Sequence, residues 1–325
     1  MSGFVWELDA PFERMTDAAA SALLREVYGL EPVALKLLDT ERDDSFRVTT
    51  ADQQTANHQY VLKVANPTDS LDDIEFQTLA MQHAVAADPR LPLQRVLPAL
   101  DGSFDPVVNG RVVRLLSWLD GTLLMDVVRT PATLHGLGMS LARLAAALRG
   151  FDHPAAHRTF AWDIQSLDAM RPLLDLGDFA TVAAFLDRFD AVVLPRMAGL
   201  PHQFVQHDFH PGNVLVGDEP PHPVTGILDF GDALWSARAT DIGVALAYLA
   251  PRDEPPWPFL KHFVAGYRCV TELTQDELEL IPAFAAARQA QRILMSAKRA
   301  TTEAHWERIR GLVTTFDNLH SHREH

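Results

Sequence analysis

The sequence predicts an α+β fold in two lobes: an antiparallel sheet with one helix, then a mainly helical lobe with a small β insertion. Short apolar runs separated by polar, turn-rich stretches fill most of the first 116 residues, which is typical of an antiparallel sheet. The chain then changes to long segments with helical spacing. Its 325 residues also exceed the roughly 100–200 of a typical single domain, so we expect two lobes.

The amino-terminal part begins with a predicted helix, Thr16–Tyr28, because its helical pattern ends at Gly29, a residue typical of helix C-caps. A second helical pattern, Leu71–Ala87, stops before Pro89 and is inserted among the strands. The strands are predicted at Pro32–Leu38, Phe46–Thr50, Gln59–Ala65, Val96–Leu100 and Arg111–Leu116.

The carboxy-terminal part is predicted to be mostly helical. Its helices are expected at Thr133–Arg149, Asp178–Met197, Ala237–Leu249, Phe259–Val270, Thr274–Lys298 and Trp306–Leu319. The fifth of them opens with Thr-Gln-Asp-Glu, a capping-box pattern. Three strand-like runs interrupt the helices, at Gln203–Gln206, Val214–Val216 and Gly226–Leu228.

Charge and composition exclude several classes of protein. The 28 basic and 43 acidic residues give a formal charge of −15, which disfavours nucleic acid and anionic membranes as partners and is compatible with a cationic small substrate. One cysteine excludes an internal disulfide framework. The first ten residues do not resemble a signal peptide, and no stretch of about 18 apolar residues occurs, so we expect a cytoplasmic protein.

The most informative motif spans residues 206–216 and 226–232. Asp208 is followed five positions later by Asn213 and an apolar run, and a second apolar run leads to Asp229 in Asp-Phe-Gly. This order is typical of a phosphoryl-transfer loop followed by a metal site. A carboxylate at Asp208 can orient a hydroxyl group and accept its proton. Amide and carboxylate oxygens at Asn213 and Asp229 suit Mg²⁺, and a hairpin of the two runs would fix their spacing.

The His-Pro-Gly-Asn and Asp-Phe-Gly-Asp runs resemble those of the aminoglycoside phosphotransferase / choline kinase-like family, whose fold is that of protein kinases. The resemblance covers nearly the whole chain. It implies a nucleotide-binding lobe of residues 1–116, an interlobe linker of residues 117–121, and a catalytic and substrate-binding lobe of residues 122–325. Residues 41–46 and 60–64 are most similar to the hydroxylysine kinase-like branch.

The resemblance also implies how the first lobe binds a nucleotide. Lys63 would hold the α- and β-phosphates, and Glu75 on the following helix would pair with it. Backbone groups near Ser45 would lie against phosphate, although this loop lacks glycines. Ser117 and Trp118 lie in the linker, whose backbone would bond the nucleotide base. For Ser45 an ordinary turn, and for Trp118 a place in the core, are equally open.

In the second lobe the resemblance implies further roles. Asp241 would brace the catalytic loop, with a simple helix-terminal charge as the alternative. Asp232 would contact a second cation or an amine of the substrate, or stabilise a turn, and Trp235 would line the acceptor pocket or lie in the core. The chain departs from the family at Gln206, where the family has histidine, and at His207, where it has glycine or asparagine.

The sequence therefore predicts a small-molecule kinase. It would use Mg²⁺ with ATP or GTP and phosphorylate a hydroxyl group of a small, amine-bearing acceptor, such as an amino alcohol, a hydroxy amino acid or an aminoglycoside-like compound. Two alternatives stay open. One is a non-catalytic nucleotide-binding pseudokinase, and the other is a metallo-hydrolase that uses His207, Asp208 and His210 as metal ligands.

Overall fold

The computed structural model describes residues 12–40, 42–51, 58–252 and 254–321. These residues form two compact units, one that ends at Asp120 and one that begins at Gly121. Both units combine helices with antiparallel strands, which confirms the predicted α+β class. Within the described residues, every helix is too short or too polar to span a bilayer.

The first unit is built on an antiparallel sheet. Its strands are β1 (Pro32–Leu37), β2 (Asp44–Thr50), β3 (His58–Val64), β4 (Val96–Leu97), β5 (Val107–Val108) and β6 (Arg111–Ser117), and its helices are α1 (Asp17–Tyr28) and α2 (Leu71–Ala87). The strand order is β1–β2–β3–β6–β4, and β5 pairs with β6. The register places Lys63 on β3 between Ser45 on β2 and Arg114 on β6.

Local signals set the ends of both helices in this unit. The Thr16 side chain accepts a hydrogen bond from the N-terminus of α1, and Gly29 ends the helix in the left-handed conformation, with φ of 66°. Helix α2 begins at a capping box of Ser70 and Asp73. The buried face of α1 then packs with Phe46, Leu62, Val113 and other residues of the sheet to form the core of the unit.

The second unit is mainly helical, as predicted. Its helices are α3 (Pro131–Ala147), α4 (Ala180–Arg188), α5 (Leu194–Met197), α6 (Ala239–Leu249), α7 (Trp257–Arg268), α8 (Gln275–Lys298) and α9 (Glu303–Ser321). A π-helical segment, Phe189–Val193, joins α4 to α5, and 3₁₀ segments occupy Leu124–Asp126, Pro154–Ala156 and Ile164–Leu176. The capping box predicted for α8 is present, between Thr274 and Glu277.

Two small groups of strands interrupt these helices. The strands are β7 (Thr122–Leu123), β8 (His202–Val205), β9 (Val214–Val216), β10 (Val224–Ile227) and β11 (Leu234–Ala237). Strands β10, β9 and β7 form one antiparallel sheet, and β11 pairs with β8 in another. The predicted hairpin of the two apolar runs is therefore confirmed, with Val214 opposite Ile227.

The structure corrects some predicted boundaries. The strand predicted at Val96–Leu100 ends at Leu97, because Pro98 lacks the N–H that would continue the ladder. Helix α3 begins two residues earlier than predicted, with Pro131 in its first turn and Thr130 as its N-cap. The two-residue β7 and the four-residue β11 were not predicted, since strands this short depend on distant partners rather than on their own pattern.

Candidate active site

The loop between β8 and β9 is held by the first turn of α6. The carboxylate of Asp241, which is fully buried, accepts hydrogen bonds from the backbone N–H of His207 at 2.6 Å and of Gln206 at 3.3 Å. Burial raises the pKa of Asp241 to about 6, although these two hydrogen bonds act in the opposite direction. Asp241 thus makes the contacts that a brace for this loop requires.

Gln206 connects the loop to the segment that follows β10. Its side-chain Nε2 donates to the backbone oxygens of Asp229 and Leu228, and its Oε1 accepts from the N–H of Asp208 at 3.0 Å. The residue is fully buried. The amide therefore makes hydrogen bonds in both directions at the position where the family has histidine, so the departure from the family pattern leaves the loop supported.

His207 has a positive φ of 62°. Glycine and asparagine, the residues of the family pattern at this position, adopt this left-handed conformation more readily than other residues. Its Nε2 lies 3.2 Å from the carbonyl oxygen of Trp162, so that nitrogen carries the proton and donates. Burial, with the nearby positive charge of Arg288, holds the pKa of His207 well below its usual range.

This arrangement weighs against the metallo-hydrolase alternative. His207 Nε2 donates to a carbonyl and His210 Nδ1 accepts from the N–H of Gly212 at 3.0 Å, which leaves only one ring nitrogen of each histidine for a metal. Among the described residues, no three His, Cys, Asp or Glu side chains are grouped so as to hold a metal ion.

Asp208 and Asn213 are in direct contact. The Nδ2 of Asn213 donates to Asp208 Oδ2 at 2.6 Å, and the Asp208 side chain is 18% exposed. Burial raises the pKa of Asp208 well above its usual range, and the negative charges of Asp232 and Asp229 raise it further. The three carboxylates thus lie close enough for their charges to interact.

Asp229 follows β10 and is exposed. Like His207 it has a positive φ, here 58°, and its Oδ1 accepts from the N–H of Gly231 at 2.7 Å. The backbone N–H of Leu228 donates to Asn213 O at 2.8 Å, so the hairpin holds the two segments together. Since Asn213 uses its Nδ2 on Asp208, its Oδ1 is the atom available to a cation. Hard oxygen donors of this kind, one amide and one carboxylate, fit Mg²⁺.

Asp232 and Trp235 lie near the same loop. Asp232 is partly buried, and its charge contributes to the raised pKa of Asp208. Trp235 lies on β11, partly exposed, and stacks on His157 with ring centroids 5.3 Å apart. Its environment is therefore intermediate between the two predicted alternatives, a pocket wall and a core residue.

The structure adds residues that the sequence did not single out. The ring of Tyr248 on α6 stacks on His210, with centroids 5.0 Å apart, and the Arg292 guanidinium lies 4.1 Å from the Tyr248 ring centroid. On the same helix as Arg292, Arg288 Nη2 donates to the carbonyl of His207 at 2.9 Å. The sequence signal was weak: two arginines four positions apart in an otherwise alanine-rich helix.

In the first unit, Lys63 forms an ion pair with Asp43. Its Nζ lies 3.2 Å from Asp43 Oδ2, and the two side chains are 17% and 12% exposed. Asp43 Oδ1 also accepts from the N–H of Asn66 at 3.3 Å. Glu75 lies partly buried on α2, where its charge helps to raise the pKa of Asp105. The pairing of Lys63 with Glu75 stays a prediction.

The other predicted nucleotide-binding residues have contacts within this unit. Ser45 lies on β2 and is buried, and its hydroxyl has no hydrogen-bond partner among the described residues. The Ser117 N–H donates to Arg95 O, and its Oγ accepts from Arg95 N, each at 2.8 Å. Trp118 has the guanidinium of Arg47 4.2 Å from its ring centroid. Contacts of these residues with a nucleotide stay predictions.

Comparison with known proteins places the chain among phosphotransferases. The family model described as "Phosphotransferase enzyme family" matches residues 35–292. Hydroxylysine kinase of Mus musculus is 26% identical over 324 aligned positions, which cover 91% of this chain and 86% of the relative. This likeness agrees with the branch that residues 41–46 and 60–64 indicated.

Solved structures share the fold. A microcompartment-associated aminopropanol kinase superposes with a TM-score of 0.73 at 21% identity, covering 93% of this chain and 95% of the other. An amicoumacin kinase, solved in complex with AMP-PNP, Ca²⁺ and Ami, gives a TM-score of 0.72 at 16% identity and covers 94% of each chain. The predicted kinase-like fold is thereby confirmed.

Proposed function

The chain belongs to the phosphotransferase enzyme family and is a small-molecule kinase that acts on an alcohol group, and we propose that Asp208 is its catalytic base. The reaction transfers the γ-phosphoryl group of a nucleoside triphosphate to a hydroxyl of a small, amine-bearing acceptor. The observation that carries the proposal is the hydrogen bond from Asn213 to Asp208 Oδ2, on a loop braced by Asp241 and joined to Asp229 by Gln206.

Asp208 acts on the acceptor. Because its Oδ2 is held by Asn213, its Oδ1 is the oxygen we assign to the proton of the acceptor hydroxyl. The acceptor oxygen bonds to the γ-phosphorus as the bond from that phosphorus to the β–γ bridging oxygen breaks, and the proton passes to Asp208. The products are a phosphate monoester and a nucleoside diphosphate. Burial supports this role, since a carboxylate with a raised pKa is a stronger base.

Two oxygen donors support a divalent cation in this proposal. Asn213 Oδ1 and the Asp229 carboxylate would hold Mg²⁺, which in phosphoryl transfer neutralises the charge of the phosphate oxygens. Mg²⁺ needs few protein ligands, because phosphates and water complete its shell. The residues described here fit that requirement.

We assign Lys63 to bind the phosphates of the nucleotide donor. Its ion pair with Asp43 is partly exposed, so a triphosphate can compete for the ammonium group at moderate cost. Glu75, Ser45, Ser117 and Trp118 are proposed to contribute to the same nucleotide. Either ATP or GTP can serve as donor in this mechanism.

We assign Asp232 to bind the ammonium group of the acceptor and Trp235 to line the acceptor pocket. Asp232, Asp208 and Asp229 form a negatively charged group, which attracts an ammonium group and repels a second anion. The stack of Trp235 on His157 adds a flat aromatic surface, and such surfaces favour cations as well as apolar groups.

Replacing Asp208 by asparagine tests the catalytic base. Asp208→Asn keeps the size of the side chain but cannot accept the proton, so we expect kcat to fall by about 10²–10⁴-fold. Nucleotide affinity, measured by calorimetry, should stay within about twofold. Asp175→Asn, a change of the same kind at an exposed position, should leave both unchanged.

Unchanged turnover in Asp208→Asn would refute the assignment of the base. A wild-type protein that binds nucleotide but releases no diphosphate with any hydroxyl acceptor would instead support the pseudokinase alternative. Stoichiometric zinc in the purified protein would reopen the hydrolase alternative.

A further inference from the structure

The segment that follows Asp229 is held by an arginine from a distant part of the chain. Arg158 Nη2 donates hydrogen bonds to two backbone oxygens of this segment, Gly231 O and Ala233 O, the second at 3.0 Å. Nη2 carries two N–H groups, so each carbonyl can accept from one of them. A single guanidinium group thus joins two points of the backbone that lie on either side of Asp232.

Gly231 connects this contact to the carboxylate of Asp229. The N–H of Gly231 donates to Asp229 Oδ1 at 2.7 Å, and Arg158 binds the carbonyl of the same glycine. Asp229 has a positive φ of 58°, a conformation that is uncommon outside glycine and depends on surrounding contacts. Arg158 therefore acts on the Asp229 carboxylate through one residue of backbone.

The guanidinium group of Arg158 is itself held in place. It lies 4.5 Å from the centroid of the Phe160 ring, and Phe160 is a buried core residue. Arg158 is partly buried. A planar guanidinium group that lies on an aromatic ring is already oriented, so it loses little conformational freedom when it binds the two carbonyls.

The residues next to Arg158 contact the same segment farther along. His157 stacks on Trp235 of β11 with ring centroids 5.3 Å apart, and the 3₁₀ segment Pro154–Ala156 packs against β11. This part of the chain thus supports the backbone from the residues after Asp229 into β11.

We propose that Arg158 is a positioning residue: by holding the carbonyls of Gly231 and Ala233, it keeps the carboxylate of Asp229 in place for the divalent cation. This inference rests on the proposed function, which assigned the cation to Asp229. Arg158 lies 73 positions before Gly231 in the sequence, and its role is to orient a ligand without touching the metal. Residues with this role contribute about 10–100-fold to metal affinity.

Hydrogen exchange tests the contact in the absence of any ligand. The N–H of Gly231 donates to Asp229, and that of Ala233 donates to Phe230 O at 3.2 Å, so both amides report opening of this turn. In Arg158→Met we expect a peptide that contains the turn to exchange about tenfold faster than in the wild type. Arg158→Lys, whose ammonium group can donate to both carbonyls, should restore most of the protection.

Binding of Mn²⁺, measured from its electron paramagnetic resonance signal, tests the consequence for the cation without turnover. With a non-hydrolysable ATP or GTP analogue present, Arg158→Met should raise the Kd of Mn²⁺ by about 10–100-fold. Arg158→Lys should raise it by about threefold or less. Affinity for the analogue in the absence of a divalent cation should not change in either variant.

Arg171→Met is the matched control for a loss of stability. Arg171 is also partly buried, and it donates to the carboxylates of Asp168, Asp187 and Asp190, none of which is assigned to the site. Its replacement should lower the melting temperature but leave the exchange of the turn and the Kd of Mn²⁺ unchanged. Thermal melting shows whether each variant folds, and Arg158→Gln, which is shorter, replaces Arg158→Met if the latter does not.

Two results would overturn the proposal: wild-type exchange and Mn²⁺ affinity in Arg158→Met, or an equal loss of Mn²⁺ affinity in Arg158→Met and Arg171→Met. Release of nucleoside diphosphate and the Mn²⁺ affinity of Asp229→Ala are measured separately. If Asp229→Ala and Arg158→Met both weaken Mn²⁺ but the wild type releases no diphosphate, phosphoryl transfer fails while the role of Arg158 stands. If diphosphate is released and only Asp229→Ala weakens Mn²⁺, the proposed function stands and the role of Arg158 is wrong.

Discussion

At the scale of single residues, the catalytic loop depends on one buried amide. Gln206 donates to the carbonyl oxygens of Leu228 and Asp229 and accepts from the N–H of Asp208. It therefore fixes the position of Asp208 relative to Asp229, although it touches no substrate. A neutral histidine can also donate one hydrogen bond and accept another, so the same connection is compatible with the residue that the family has here.

We predict that Gln206→Leu lowers both stability and turnover. Leucine has a similar volume but removes the hydrogen bonds to three partly buried backbone groups, so the free energy of unfolding should fall by about 1–3 kcal/mol. Displacement of Asp208 should lower kcat by about 10–100-fold. Gln206→His, which restores one donor and one acceptor, should recover most of the turnover.

Gln203→Leu is the matched control for this substitution. Gln203 is also buried and donates to Ala145 O at 2.8 Å, but it lies on β8, outside the loop. Its replacement should cost comparable stability and leave kcat nearly unchanged. If Gln206→Leu and Gln203→Leu lower kcat equally, the positioning role of Gln206 is wrong.

The site residues that could be predicted are those whose order and spacing in the sequence indicate their chemistry. Asp208, Asn213 and Asp229 were found because a hairpin with short strands sets their spacing. The ion pair of Asp43 with Lys63 and the contact of Arg292 with Tyr248 were not predicted. In both cases the two residues are far apart in the sequence and meet only in the folded chain. The functions of Gln206 and His207 needed backbone conformation and buried hydrogen bonds, which no local pattern records.

At the scale of secondary-structure elements, the close contact between α6 and α8 positions the site. Helix α6 carries Asp241 and Tyr248, and α8 carries Arg288 and Arg292. Gly243 makes the contact possible, because a Cβ atom there would lie 2.3 Å from Phe284 Cβ and 2.8 Å from its backbone carbon. The backbone of α8 cannot move aside without moving its arginines.

We expect Gly243→Ala to destabilise the protein and to impair catalysis together. Overpacking of this kind costs about 1–3 kcal/mol, and separating α6 from α8 would displace Asp241 from the loop it braces. The measurements are the midpoint of chemical unfolding and kcat. Gly136→Ala in α3 is the control, since a Cβ there meets no atom within 4 Å; it should gain about 0.5–1 kcal/mol.

Equal stability of the two alanine variants would contradict the proposed role of Gly243.

Elements with strong terminal signals could be predicted from sequence: α1 ends at Gly29, and α8 begins after Thr274, as expected. Strands β7 and β11 could not, because each exists only through pairing with β9 or β8.

At the scale of the whole molecule, charge is distributed unevenly. The chain carries −15 overall, yet the charges of Arg308 and Arg288 both act on the guanidinium of Arg292. The general excess of acid serves solubility and repels anions, whereas the charge of Arg288 acts on the buried carboxylates of Asp208 and Asp241 and opposes the rise of their pKa values. Net charge alone pointed only to the cationic part of the acceptor.

Ligand binding should stabilise the molecule in a manner that depends on magnesium. A nucleotide at about 100 times its Kd adds about 2.7 kcal/mol to the stability of the folded protein. We expect ATP or GTP with Mg²⁺ to raise the melting temperature, and a chelator to remove part of that increase. Asp229→Ala should abolish the magnesium-dependent part, because it removes the only carboxylate that we assign to the cation.

Asp175→Ala, at an exposed position remote in sequence from the loop, serves as the control and should retain the full increase. Lys63→Met should reduce the increase both with and without Mg²⁺, since it removes the charge assigned to the phosphates rather than to the cation. If Asp229→Ala shows the same magnesium-dependent increase as the wild type, the cation binds elsewhere. The assignment of Asp229 to the cation would then be wrong. The assignment of Lys63 to the phosphates is tested separately, by Lys63→Met.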